Sequence, residues 1–173
     1  DWQGIGHEVA GVVAAVGDNV PNVREGDRVV LESGSFNRDT PISRDGRVDL
    51  DNSAPNIWLN EKNGTMGFAD YILAPREALV PYEGLTPEVA CLAEPLGVAI
   101  DMTYVADIHL GNEVLILGLG AIGLMSIPVA RMKGAGRIYA VNRSGGKRAE
   151  VAAAVGADEI YLTPETPLAA LPF

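Results

Sequence analysis

Residues Gly118-Leu119-Gly120-Ala121-Ile122-Gly123 stand directly behind the apolar run Glu113-Val114-Leu115-Ile116-Leu117. That order describes a buried strand feeding a helix through a glycine-rich turn, which is a way of holding a pyrophosphate. The first glycine permits the tight bend, the second lets the backbone approach phosphate oxygens with no Cβ in the way, and the third lets helix pack closely on strand. A helical pattern follows at Leu124, Ile127, Val129 and Ala130 and stops at Gly134 and Gly136; a second apolar strand then begins, Arg137-Ile138-Tyr139-Ala140-Val141. The expected cofactor contacts are therefore Gly118, Leu119, Gly120, Ala121, Ile122 and Gly123, the alternative being a purely structural βαβ unit.

A site for NAD places an acid about 20 residues beyond such a turn, where it accepts hydrogen bonds from the adenosine ribose. Here Asn142-Arg143-Ser144 occupy that place, Lys147 and Arg148 lie just beyond, and no acid intervenes between Gly123 and Glu150. A carboxylate would repel a 2′-phosphate, whereas arginine offers it a charge-assisted fork. The pattern favours NADP over NAD, with Asn142, Arg143 and Arg148 as cofactor contacts. The alternative is that the basic residues solvate a loop, and that NAD binds through backbone and Asn142.

Gly6-His7-Glu8 precedes a β-branched run, and histidine and glutamate both ligate a borderline cation such as zinc. Alone, the pair reads more readily as an ordinary surface or hydrogen-bonded couple than as a metal site. Glu94 is ambiguous in the same way, since a carboxylate at a helix N-terminus is stabilised there without any metal.

The elements that must position these groups fall into two kinds. Val9–Val16, Asp27–Glu32 and Phe68–Ala74 read as strands, with turn chemistry at Gly17-Asp18-Asn19 and Arg24-Glu25-Gly26-Asp27. Residues 33–67 form a polar lobe with scattered apolar residues, Ile57, Trp58 and Leu59 among them. At Leu85-Thr86-Pro87-Glu88 a helix begins, with Thr86 suited to the N-cap and Pro87 to the first helical position. Pro95 interrupts the pattern, so two helices are expected to meet at Glu94-Pro95. Beyond Asp107, strand and helix alternate, with a second helix over 147–155 and a third strand at Glu159-Ile160-Tyr161-Leu162.

The 173 residues are 47% hydrophobic, ample for a core, and carry a net charge of −10. That charge argues against nucleic acid or an anionic membrane as partner, because either needs a basic patch. A lone cysteine, Cys91, excludes an internal disulfide and fits a reducing compartment. Nothing reads as an export leader or a membrane span, so a cytoplasmic location is expected.

Taken in order, Gly6-His7-Glu8, Gly26-Asp27-Arg28-Val29-Val30, Gly67-Phe68-Ala69-Asp70-Tyr71, Glu94-Pro95-Leu96 and the glycine turn resemble the zinc-dependent medium-chain dehydrogenase/reductase family. The branch it looks like is that of the polyol, sugar and threonine dehydrogenases, which carry Glu-Pro-Leu where other members have a cysteine ligand. The resemblance implies an α/β plus β chain. A partial GroES-like catalytic domain would span 1–84, with connecting helices over 85–107 and the first half of a Rossmann dinucleotide-binding domain over 108–173. It implies that His7, Glu8 and Glu94 are the catalytic and metal-binding residues of a zinc site whose cysteine ligand lies upstream of this chain. It further implies a hydride transfer between a small alcohol, polyol or sugar and NAD(P), in a homo-oligomer.

The chain accordingly reads as truncated at both ends and, taken alone, as inactive, with an open, apolar edge on its first parallel strand. The lobe holds none of the cysteines that bind a structural zinc in many relatives, so no structural metal is expected there, and the lobe is expected either to be ordered by Trp58 and its own packing or to be poorly ordered. Two other readings stay open: a zinc-free NADPH quinone or enoyl reductase of the same superfamily, and a nucleotide-binding protein without catalysis.

Overall fold

The computed structural model describes residues 5–32, 37, 39–51 and 66–171. The chain divides into two units, Asp1–Glu94 and Pro95–Phe173.

The first unit is built on an antiparallel sheet of β1 (Ala10–Val12), β2 (Arg28–Leu31) and β3 (Leu79–Pro81), in that order. Ala10 pairs with Val30 and Val12 with Arg28, while Val29 pairs with Pro81 and Leu31 with Leu79. The turn into β2 needs Gly26, at φ 88°, a conformation that costs a Cβ-bearing residue dearly. Asp27 braces it by accepting the Arg24 N–H at 3.0 Å. Val13, Val23 and Val29 form a small core against Val20 and Leu79.

Two expectations are corrected here. The run Val9–Val16 yields only the three residues of β1, and Phe68–Ala74 forms no strand; Phe68, Tyr71 and Leu73 are exposed. A β-rich composition becomes a strand only when a neighbouring edge accepts its backbone. The edge beside β2 is taken instead by β3, delivered by a 3₁₀ turn at Arg76–Ala78 whose Ala78 is fully buried.

In the lobe, a short helix, α1 (Pro41–Arg44), is capped by Thr40, whose side chain accepts the Ser43 N–H. Buried Asp51 ties the segment together: one carboxylate oxygen accepts from the Asn37 N–H at 3.1 Å and from the Thr40 and Ser43 hydroxyls, both at 2.8 Å. Trp58, with Ile57 and Leu59, lies outside the described residues. Two helices follow, α2 (Pro87–Ala90) and α3 (Ala93–Val105). The break falls two residues earlier than the proline rule places it. Pro95 is tolerated inside the first turn of α3, where its missing N–H would have had no helical partner.

The second unit holds a parallel sheet ordered β4 (Glu113–Leu117), β5 (Arg137–Asn142) and β6 (Glu159–Leu162). The crossovers are α4 (Ala121–Lys133) and α5 (Lys147–Ala154). Ile116, Leu119, Ile127, Ala130, Ile138, Ala140 and Ala152 make its core. Helix α4 ends at Gly134, φ 107°, in the left-handed cap that its terminal carbonyls require. The Arg131 guanidinium donates to the carbonyls of Ala135, Gly136 and Gly156 and to the Asp158 carboxylate, at 2.6–3.0 Å. Asp158 in turn accepts the Ile138 N–H at 2.7 Å. Both helix-to-strand returns are thus fastened to one side chain. Among the described residues β4 has one strand neighbour, and Leu115 and Leu117 are exposed, as expected of an open edge.

Candidate metal centre and dinucleotide turn

His7 sits just before β1 on a segment held by two backbone bonds: the Gly67 N–H donates to the Gly6 carbonyl at 2.8 Å, and the Phe68 N–H to the Ile5 carbonyl at 3.1 Å. The two glycines make this approach possible. Gly6 adopts φ 87°, and a Cβ on Gly67 would stand 2.6 Å from Val9 Cγ2 and 3.1 Å from the Gly6 oxygen. Glu94 arrives from the far end of the same unit, in the first turn of α3.

Its carboxylate oxygen lies 3.9 Å from His7 Nε2. The His7 side chain is 52% exposed and that of Glu94 14%. Glu8, exposed, joins them: one potential ligand atom from each of His7, Glu8 and Glu94 falls within 4.8 Å of the others. Donors on a tetrahedral zinc with bonds of about 2.0–2.1 Å stand about 3.3 Å apart. The His7–Glu94 separation of 3.9 Å is wider than that by about 0.6 Å, and no separation in the trio exceeds 4.8 Å. An imidazole and two carboxylates suit zinc's preference for nitrogen and oxygen donors, so these residues fit the ion. Cys91, partly buried, has its Sγ 3.3 Å from the Glu88 carbonyl.

In the second unit each glycine of the turn does a different job. Gly118 takes φ 93° while its N–H donates to the Val141 carbonyl at 2.8 Å. Gly120 caps α4 in an extended conformation, and a Cβ there would meet nothing within 4 Å. At Gly123 a Cβ would stand far inside van der Waals contact with the Gly118 carbonyl oxygen. One glycine bends the chain, one leaves a space, and one permits contact. Ala121 and Ile122 open α4, whose N-terminal N–H groups and dipole favour an anion. Leu119 is fully buried.

Past β5 the loop Arg143-Ser144-Gly145-Gly146 leads into α5. Arg143 and Arg148 are exposed and make no ion pair among the described residues, whereas Lys147 pairs with Glu150 at 3.8 Å. Asn142 behaves differently from a free ribose contact. Its Oδ1 accepts the Leu119 N–H at 3.3 Å and its Nδ2 donates to the Ser144 carbonyl at 2.6 Å. No sequence spacing announces that link, because it joins the ends of two strands by a side chain. The role of Gly67 is equally silent in sequence, since the close approach it permits is to a residue at the other end of the unit.

Residues 3–84 match the alcohol dehydrogenase GroES-like domain. Sorbitol dehydrogenase 1 of Saccharomyces cerevisiae is 35% identical over 132 residues, which cover 76% of this chain and 36% of that protein. A thermostable alcohol dehydrogenase from Pyrobaculum aerophilum superposes with a TM-score of 0.84 at 26% identity, covering 97% of this chain and 50% of that one. A dehydrogenase from Sinorhizobium meliloti 1021, solved bound to NADP, superposes with a TM-score of 0.79 at 29% identity, covering 95% and 47%. The chain therefore spans well under half the length of that curated relative and about half of each solved structure.

Proposed function

The chain belongs to the medium-chain dehydrogenase/reductase family, and from that premise we propose that it carries the metal ligands and the first cofactor-binding elements of a zinc-dependent dehydrogenase. Its substrate would be a small alcohol, polyol or sugar, and its cofactor NADP in preference to NAD. Residues 1–84 would belong to the catalytic domain and 108–173 to the dinucleotide domain, joined by the helices over 85–107.

The observation that carries this reading is the convergence of His7 and Glu94, 3.9 Å apart, with Glu8 beside them. Bound there, zinc would act as a Lewis acid on the alcohol oxygen. Glu94 would bring a mostly buried carboxylate from a fixed helical position. The Gly6–Gly67 contact holds the backbone of His7, so the imidazole needs only side-chain rotation to reach the ion. His7 and Glu8 are exposed, which leaves room for a substrate on the solvent side of the three ligands.

The N-terminus of α4 would hold the pyrophosphate, with Gly120 leaving the space into which its oxygens fit. Arg143 and Arg148 would meet the 2′-phosphate; their exposure and lack of an ion pair among the described residues support that assignment. The relative solved with NADP supports the cofactor in general terms.

The test is metal analysis of the intact protein that carries these residues, together with oxidation rates for a panel of polyols and simple alcohols with NADP and NAD. Zinc at one equivalent, with turnover lost on chelation and restored by zinc, is the expected result. Turnover of quinones or enoyl substrates by metal-free protein would overturn it.

A further inference from the structure

We propose that Asn142 is a positioning residue that locks the pyrophosphate turn to the cofactor-selecting loop, rather than a group that reads the adenosine ribose. This rests on the dinucleotide reading above.

An asparagine at the end of β5, where an acid would contact ribose, is naturally taken as that acid's neutral substitute. Its partners here say otherwise. The carboxamide oxygen accepts the N–H of Leu119, which lies between Gly118 and Gly120, and the carboxamide nitrogen donates to the Ser144 carbonyl, one residue past Arg143. Both ends of the amide are thus engaged before any ligand arrives. Leu119 is fully buried, so its N–H has no water to fall back on and losing this acceptor is costly. The turn is also held by Gly118 N–H to the Val141 carbonyl, at 2.8 Å. Together the two bonds fix successive amides of the turn to successive residues of β5.

The choice of amide over acid follows. A carboxylate could still accept from Leu119, yet its second oxygen would face the Ser144 carbonyl where Nδ2 now donates at 2.6 Å. Two acceptors at that distance repel, and the loop carrying Arg143 would swing. Asparagine is the side chain of this length that offers an acceptor to one segment and a donor to the other. The grip on the pyrophosphate and the placement of the arginine that meets the 2′-phosphate are thereby mechanically joined.

The experiment uses Asn142→Ala, with three ligands: NADP, NAD, and the NAD analogue lacking both adenosine ribose hydroxyls. Affinity should fall by about tenfold for NAD and its analogue alike, because the turn they share is loosened, and by more for NADP, whose 2′-phosphate also loses the placement of Arg143. Amide hydrogen exchange of Leu119 in the cofactor-free protein should accelerate in Asn142→Ala and remain slow in Asn142→Asp, which keeps the acceptor while mobilising residues 143–146. A loss confined to ligands with ribose hydroxyls would overturn the proposal in favour of a reading role, and so would unchanged Leu119 exchange. Failure of the unaltered protein to bind either dinucleotide would instead overturn the cofactor reading, and with it the functional half of the proposal, even where Leu119 responds.

Discussion

His7 Nε2 and Glu94 Oε2 approach to 3.9 Å although one precedes the first strand of its unit and the other opens a helix at that unit's end. A histidine–glutamate pair can form without a metal, so the consequence of breaking it distinguishes the two situations. Replacing His7 by alanine should lower zinc affinity by about a hundredfold or more, since loss of even an outer partner of a ligand costs 10–100-fold. Stability of the metal-free protein should change by less than about 1 kcal/mol, as for a partly exposed ion pair. Zinc content by mass spectrometry and chemical denaturation after chelation give the two numbers; equal zinc in variant and parent would exclude His7 as a ligand.

Gly120 and Gly123 should respond to the same substitution in opposite ways. Gly120→Ala places its Cβ in open space at an unstrained φ of −76°, so the unfolding midpoint should hold while dinucleotide binding falls. Gly123→Ala drives its Cβ into the Gly118 carbonyl. Overpacking of that kind costs typically about 1–3 kcal/mol, and the thermal midpoint should drop before any ligand is added. A stable Gly123→Ala protein would mean that the turn is looser than described.

Arg143→Ala should weaken NADP by roughly ten- to a hundredfold and NAD little, the scale of one hydrogen bond to a charged group. Parallel loss for both cofactors would show that the guanidinium serves the loop and not the 2′-phosphate. The ratio of kcat/KM values for the two cofactors is the quantity to measure.

Asp158 supplies a pH signature. The Ile138 N–H and then the Arg131 guanidinium hold its carboxyl below the ordinary 3.8. A carboxyl whose folded value is depressed contributes stability that is fully present above its unfolded value and is lost as pH falls through the folded one. Asp158→Asn should therefore destabilise the second unit near neutrality, by about 1 kcal/mol given that the ion pair is more than a third exposed. The difference should shrink below about pH 4. Urea midpoints of variant and parent at pH 7 and pH 3 check both statements; a gap that widens in acid would contradict the assignment.

The second unit was the more legible in sequence because its signals are local. Strand 113–117 and strand 159–162 fall where apolar runs meet turn residues, and Gly134 ends α4 as a left-handed cap should. The first unit depends on pairing between distant segments, which composition does not encode. Phe68–Ala74 has strand-forming residues and no strand, whereas Leu79–Pro81, short and ending in proline, takes the sheet edge. Glu94 near a helix start was readable from Pro95. Its nearness to His7 was not, since only the folded path around Gly6 and Gly67 brings the two together.

Arg131 belongs to none of these binding groups, yet it fixes how freely they can change. Its guanidinium rivets the returns into β5 and β6, whereas the glycine turn and the Arg143 loop leave from the opposite ends of the strands. Substitutions that retune cofactor preference therefore fall on connections that the rivet does not touch. The scaffold can be inherited intact while its specificity drifts.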